Sequence, residues 1–353
     1  MSASCLWRAS FTGDEKGSQR ATPARFATSR WVPRGAPATI RKVAVTGGTG
    51  FVGRAVVRAL MRHGLDVALL RRPGREHQRP RDANRLLAEL AKAGGRVIDG
   101  DLADMGALSE LVAGADTVVH LVGIIREAPR RRITFDEVVV EGTRRVAGAA
   151  RSAGIARFIL MSALGANPAD PLPYPRTKGE AEQIVRRHGF VDTVIFRPSV
   201  IYGPGDGFVS LLAGMLRRFP VLPIFGDGSY QLQPVPVWVM AQAVAQASAA
   251  PLPAAPAGPV VRVIDVGGAD RMTYQDLVRA VAERIGVRPR LFHVPMGLSR
   301  FVAGVGERVP GFPLARQQLE LLVRGSTGDV EPFYREFNVP RLAFREGIWA
   351  YEL

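Results

Sequence analysis

The chain has 353 residues, 47 % apolar and 22 % charged, enough to build one large or two medium globular units with their own core. The single cysteine, Cys5, excludes a disulfide framework and a multi-cysteine metal site, and the five histidines (His63, His77, His120, His188, His293) show no metal-ligand spacing. The formal charge is +15, but the basic residues are scattered and all but four of the 47 are arginine, so no specific nucleic-acid partner is expected.

Residues 1–40 are rich in Ser, Ala, Arg, Thr and Pro and show no sustained period. They read as a disordered extension, either the product of a start codon placed too far upstream or a mitochondrial presequence; Asp14 and Glu15 speak against the latter. The pattern then changes. Lys42–Thr46 is a short β-branched run, Gly47–Gly53 is glycine-rich, and Arg54–His63 carries Val56, Val57, Leu60 and Met61 at helical spacing. Further strands are expected at Asp66–Leu70, Arg96–Asp99, Asp116–Val122, Arg157–Met161 and Thr193–Phe196. Helices are expected at Met105–Ala113, Phe135–Ala153 and from about Pro175 to Arg187. Alternation of this kind predicts βαβ units and a Rossmann-type, doubly wound parallel sheet over residues 41–200. Beyond residue 200 the alternation loosens into a smaller C-terminal α/β lobe, residues 201–353. Within it, about 232–266 is expected to return to the Rossmann sheet, because a strand–helix–strand pattern recurs there. Pro251–Pro259 reads as a linker. Thr273-Tyr-Gln-Asp276 resembles a capping box opening a helix to about Ile285, and two more helices are expected at Met296–Val309 and Pro313–Arg324.

Three stretches carry chemistry. Gly47, Gly50 and Gly53 lie between a strand and a helix, where a pyrophosphate needs close backbone approach and free helix N–H groups. The loop residues Thr49, Phe51 and Val52 belong to the same cradle. The second strand runs into Arg71 and Arg72 with no acid, which predicts a 2′-phosphate and NADP(H) in preference to NAD(H), unless both are plain surface arginines. Asp101, with Leu102 beside it, is placed either to bond the adenine amine or to cap the helix that follows. Finally, Tyr174-Pro-Arg-Thr-Lys178 sets a phenol and an ammonium four residues apart on one helix face, with Ser162 twelve residues upstream at a strand end. An ammonium near a phenol lowers its pKa and makes it a usable acid or base, and Ser162 could bond a substrate oxygen.

With these residues in view, the chain resembles the extended or atypical short-chain dehydrogenase/reductases, the NAD-dependent epimerase/dehydratase-like group, over about residues 40–353. The segments Thr46–Gly53, His120–Gly123 and Arg197–Pro204 carry the likeness. Met161–Ala166, Gly179–Glu182, Gln233–Val235 and Leu314–Leu322 are similar to the subgroup that contains the Rossmann-fold accessory subunit of respiratory complex I. The resemblance implies Tyr174 as acid/base, Lys178 on the nicotinamide ribose and Ser162 polarising the substrate. It implies further cofactor contacts from Leu121, Val122, Gly123, Arg197 and Pro198. Three departures stand out: Val139 where Asn is common, Trp238 and Val239 where an acidic pair is common, and Pro175 directly after Tyr174, which biases Tyr174 away from helical angles.

Two functions follow as expectations. One is an NAD(P)(H)-dependent oxidoreductase or epimerase acting on a carbonyl, sugar or quinone-related small molecule. The other is a non-catalytic, cofactor-bearing accessory or assembly factor of a respiratory or quinone-biosynthesis complex. The resemblance implies a bacterial cytoplasmic location, with peripheral membrane contact at the inner membrane included, or the mitochondrial matrix if residues 1–40 are a presequence.

Overall fold

A computed structural model describes residues 42–74, 80–131, 133–219, 221–253, 258–306 and 316–353; the expected extension at 1–40 lies outside them. The chain runs β1 (Lys42–Thr46), α1 (Phe51–Arg62), β2 (Asp66–Arg71), α2 (Arg81–Lys92), β3 (Arg96–Asp99), α3 (Met105–Val112) and β4 (Thr117–His120). It continues through α4 (Gly142–Ser152), β5 (Arg157–Met161), α5 (Pro173–His188) and β6 (Asp192–Pro198). These strands form a seven-stranded parallel sheet whose last member is β11 (Val260–Val266), in the order β11-β6-β5-β4-β1-β2-β3. That is a Rossmann-like doubly wound fold, with the chain reversing between β1 and β4.

Hydrophobic burial on both faces holds the layers. Val56, Val57 and Leu60 of α1, Leu86 and Leu90 of α2, and most of α7 (Val237–Ala249) cover one face. Helices α3, α4 and α5 cover the other through Leu108, Leu111, Val146, Ile184 and Val185. β4, β5 and β6 are buried on both faces, so Val118–Val119, Phe158–Met161 and Val194–Phe196 run on without polar alternation, as in parallel strands. At the N-terminal edge Arg157, 1 % exposed, pairs with Asp192 at 2.7 Å and donates to the carbonyls of Ser248, Ala250 and Pro251, capping the C-terminus of α7. The strand and helix of the later chain thereby lock onto the sheet.

A third apolar cluster organises the C-terminal lobe. It joins β7 (Ile201–Tyr202), α6 (Val209–Arg218), β8 (Val221–Phe225), β9 (Gln231–Leu232), β12 (Met272–Thr273), α8 (Tyr274–Arg284) and β13 (Arg290–Val294) around Leu212, Ile224, Leu277 and Val281, while β10 (Val235–Pro236) pairs with β7 and packs into the first cluster through Val235. Thr273 caps α8 as its sequence suggests, accepting from the Asp276 N–H at 3.0 Å. Helices α9 (Met296–Gly306), α10 (Arg316–Arg324), α11 (Glu331–Glu336) and α12 (Phe344–Trp349) complete the chain. No helix among the described residues is long and apolar enough to cross a membrane.

Three local expectations need correction. α5 begins at Pro173, so Tyr174 is helical despite Pro175; both prolines sit in the first turn, where no N–H is needed. The helix expected from Phe135 opens as a π-helical turn, Asp136–Glu141, before α4. α2 was not foreseen: only Ala83, Leu86 and Leu90 are buried along twelve residues, half of them polar.

Candidate active site

The loop between β1 and α1 is built for close approach. Gly47 has φ +78°, and a Cβ there would lie 3.0 Å from the Leu121 carbonyl carbon and the Val122 nitrogen. A Cβ at Gly53 would meet the Gly47 oxygen at 2.2 Å. The Gly50 N–H closes the turn on that same oxygen at 3.0 Å. Gly50 is also the N-cap of α1, with no side chain on the first-turn N–H groups of Phe51 and Val52. A buried guanidinium underlies the loop: Arg54 donates to the Thr49 carbonyl at 3.3 Å and pairs with Asp82 at 2.8 Å. Helix dipole, open N–H groups and missing side chains all favour a pyrophosphate, so these residues fit a dinucleotide.

Toward the adenosine end the expected contacts divide. Arg71 is held in a two-pronged pair by Asp99, at 2.6 and 2.5 Å, instead of standing alone for a 2′-phosphate. Arg72 is exposed. Asp101 does not cap α3, whose cap is Asp104; its carboxylate accepts from the Ala103 N–H at 2.8 Å. Leu102 packs into the second core cluster.

At the other end, Leu121 receives strand order from β1, its N–H donating to the Thr46 carbonyl at 3.1 Å. Next to it, Gly123 leaves room for Lys178: a Cβ there would lie 3.1 Å from Nζ. Lys178, 5 % exposed, donates to the Met161 carbonyl at 2.8 Å. Burial pulls its pKa down to about 8, and Glu182 one helical turn on resists that fall. Lys178 also helps burial hold His120 neutral, with its pKa pushed down to about 3; its imidazole bridges the Thr46 and Thr143 hydroxyls at 2.6 and 3.1 Å. Tyr174 sits one turn before Lys178 and packs edge-on to Phe135, ring centroids 5.9 Å apart. Burial raises its pKa to about 12, the opposite of the lowering expected from Lys178, so the phenol is protonated at neutral pH.

Ser162 departs from its expected role. Its hydroxyl, 3 % exposed, donates to Glu182 at 2.6 Å and is turned into the protein. Glu182 is in turn gripped by Arg197, at 2.8 and 2.6 Å. Arg197 is thus a structural partner of α5, and Pro198 at the end of β6 accepts from the Leu164 N–H at 3.0 Å. Neither Glu182 nor Asp99 was singled out from sequence as a site residue. The i+4 spacing from Lys178 was the one signal for Glu182; Asp99 had none, because only the folded sheet's register sets it opposite Arg71.

Beside Pro175 opens a cleft of about 450 Å³, with Leu164 and Gly165 on the sheet side and Tyr230, Gln231 and Ser326 on the lobe side. A more open groove shares Val323 and Arg324 with it and runs past Pro171, Leu172 and Pro173 on the one hand and Arg316, Gln317 and Glu320 on the other. Arg324 reaches across to Asp170 at 2.5 Å. Among the described residues no His, Cys, Asp and Glu group could hold a metal ion.

A doubly wound sheet with a glycine cradle at its reversal point defines a nucleotide-binding protein of the dehydrogenase and epimerase class. The chain belongs to the NAD dependent epimerase/dehydratase family, whose model matches residues 43–267. Ceramide reductase of Caulobacter vibrioides is 35 % identical over 255 residues, 72 % of this chain and 73 % of that protein. The 2-alkyl-3-oxoalkanoate reductase of Stenotrophomonas maltophilia is 29 % identical over 87 % of this chain and 97 % of its own. The mitochondrial NADH dehydrogenase [ubiquinone] 1 alpha subcomplex subunit 9 of Arabidopsis thaliana is 27 % identical over 78 % of this chain but only 66 % of its own length. Among solved structures, MoeE5 in complex with UDP-glucose and NAD superposes with a TM-score of 0.65 at 24 % identity, over 88 % of this chain and 96 % of that one, a likeness of fold.

Proposed function

We propose that this protein is an NAD(P)H-dependent reductase of a ketone carried on an aliphatic, lipid-like molecule. The observation that carries the reading is the placement, one turn apart on α5, of a protonated phenol at Tyr174 and the buried Lys178 beside Gly123. Reduction of a ketone needs a proton donor at the oxygen where negative charge develops, and a neutral phenol supplies one. In this reading Lys178 holds the nicotinamide ribose. The bound nicotinamide would supply the hydride. Leu164 and the groove past Leu172, Pro173 and Val323 offer an apolar wall for an alkyl chain. The names of two relatives, a ceramide reductase and a 2-alkyl-3-oxoalkanoate reductase, point to the same substrate class.

A second reading has its own support. Ser162 is committed to Glu182, so the site lacks the hydroxyl expected to polarise a substrate, and the relative in NADH dehydrogenase suits a cofactor-bearing accessory subunit of a respiratory complex. There the nucleotide stabilises the fold by mass action. Incubating the protein with NADH or NADPH and a 2-alkyl-3-oxoalkanoate separates the two: loss of reduced nucleotide with formation of the hydroxy product supports the reductase, and tight binding without turnover supports the accessory reading.

A further inference from the structure

At the adenosine end of the cradle, β2 and β3 run in parallel with Arg71 and Asp99 as Cα partners, the last residues of their strands. Their side chains meet fork to fork: Nε donates to Oδ1 at 2.6 Å and Nη2 to Oδ2 at 2.5 Å. The turn beyond reinforces this, the Gly100 N–H donating to the Arg71 carbonyl at 2.9 Å. In a doubly wound sheet the adenosine ribose lies over this edge, and an arginine at the end of β2 accommodates a 2′-phosphate. Here that arginine has already spent two donors on a carboxylate, the geometry in which charge-assisted pairs are strongest. A 2′-phosphate would have to displace Asp99 or bond Arg71 beside a like charge; a 2′-hydroxyl faces neither cost.

We propose that Asp99 is a specificity-determining residue: by holding Arg71 it removes the NADP(H) preference that Arg71 would otherwise confer, so that NAD(H) binds at least as well. The proposal rests on the reading that the glycine cradle binds a dinucleotide. It concerns a residue on the neighbouring strand, not the usual position at the end of β2. The pair is partly solvated, with side-chain exposures of 27 % and 50 %, so separating it should leave the fold intact.

The test is titration of NADH and NADPH, by calorimetry, into the parent, Asp99→Asn, Arg71→Ala and the double variant, with thermal melting as the check on folding. The expected result is a parent that binds NADH as tightly as NADPH or more so, and an Asp99→Asn variant whose NADPH affinity rises on the order of tenfold, as one released charge-assisted bond allows. The gain should vanish when Arg71→Ala is added. A parent that already prefers NADPH tenfold, or an Asp99→Asn variant with unchanged NADPH affinity, overturns the proposal while leaving the cradle reading in place. A parent that binds neither nucleotide overturns both.

Discussion

Replacing Glu182 with alanine removes the centre of a buried polar cluster. Its carboxylate is 4 % exposed and accepts three short bonds, one from Ser162 and two from Arg197. Removing one partner of a fully buried pair typically costs about 3–5 kcal/mol. Here the stranded partner, Arg197, keeps 28 % exposure, and Asp265 lies close enough to attract it. Both soften the penalty, which we place at ~2–3 kcal/mol, including the stranded Ser162 hydroxyl. Urea unfolding should show the midpoint falling by that amount with an unchanged slope. The variant should also bind reduced nucleotide with an altered pH dependence. Lys178 loses its proton near pH 8 in the parent, and the carboxylate is what keeps that pKa from falling further. Without it the alkaline loss of nucleotide affinity should begin at lower pH. A Glu182→Ala protein within ~0.5 kcal/mol of the parent, the size of an ordinary surface substitution, would refute the reasoning.

Four further outcomes are expected. Gly53→Ala puts a Cβ 2.2 Å from the Gly47 oxygen and should lower NADH affinity by on the order of a hundredfold, measured by calorimetry. Gly148→Ala, in the middle of α4 with open space around its Cβ, should stabilise by ~0.5–1 kcal/mol in the same urea assay. Asp192→Ala strands the buried Arg157 guanidinium and should cost about 3–5 kcal/mol, softened by the carbonyls Arg157 keeps. The Lys178 pKa is lowered on folding from 10.5 to about 8, so the unfolded chain binds more protons between those values and stability should rise with pH across that window. Comparing parent with Lys178→Met by thermal melting isolates this slope, which the variant should lack.

The fold was legible because its signals are local and repeat. Strands such as Thr117–His120 and Arg157–Met161 are buried on both faces, and Gly47, at φ +78°, and Gly53 sit where a side chain would be strained or clash. Less legible were α2, which buries only three residues, and the small strand pairs of the C-terminal lobe, two of only two residues each, which depend on contacts between segments far apart in sequence. Tyr174 and Lys178 could be found from spacing, since a helix brings i and i+4 to one face. What spacing could not give was where Ser162 and Arg71 spend their hydrogen bonds. Those partners, Glu182 and Asp99, come from a helix and a strand whose placement depends on the whole sheet.

The central claim is that Tyr174 delivers a proton during ketone reduction. Its most direct test is stopped-flow absorbance of enzyme-bound NADH mixed with a 2-alkyl-3-oxoalkanoate, comparing the parent with Tyr174→Phe after equal nucleotide affinity is established. The account predicts NADH oxidation by the parent and at least a hundredfold slower oxidation by the variant, as expected for removing a general acid. Equal rates in the two proteins, or no oxidation by a parent saturated with NADH, would contradict it.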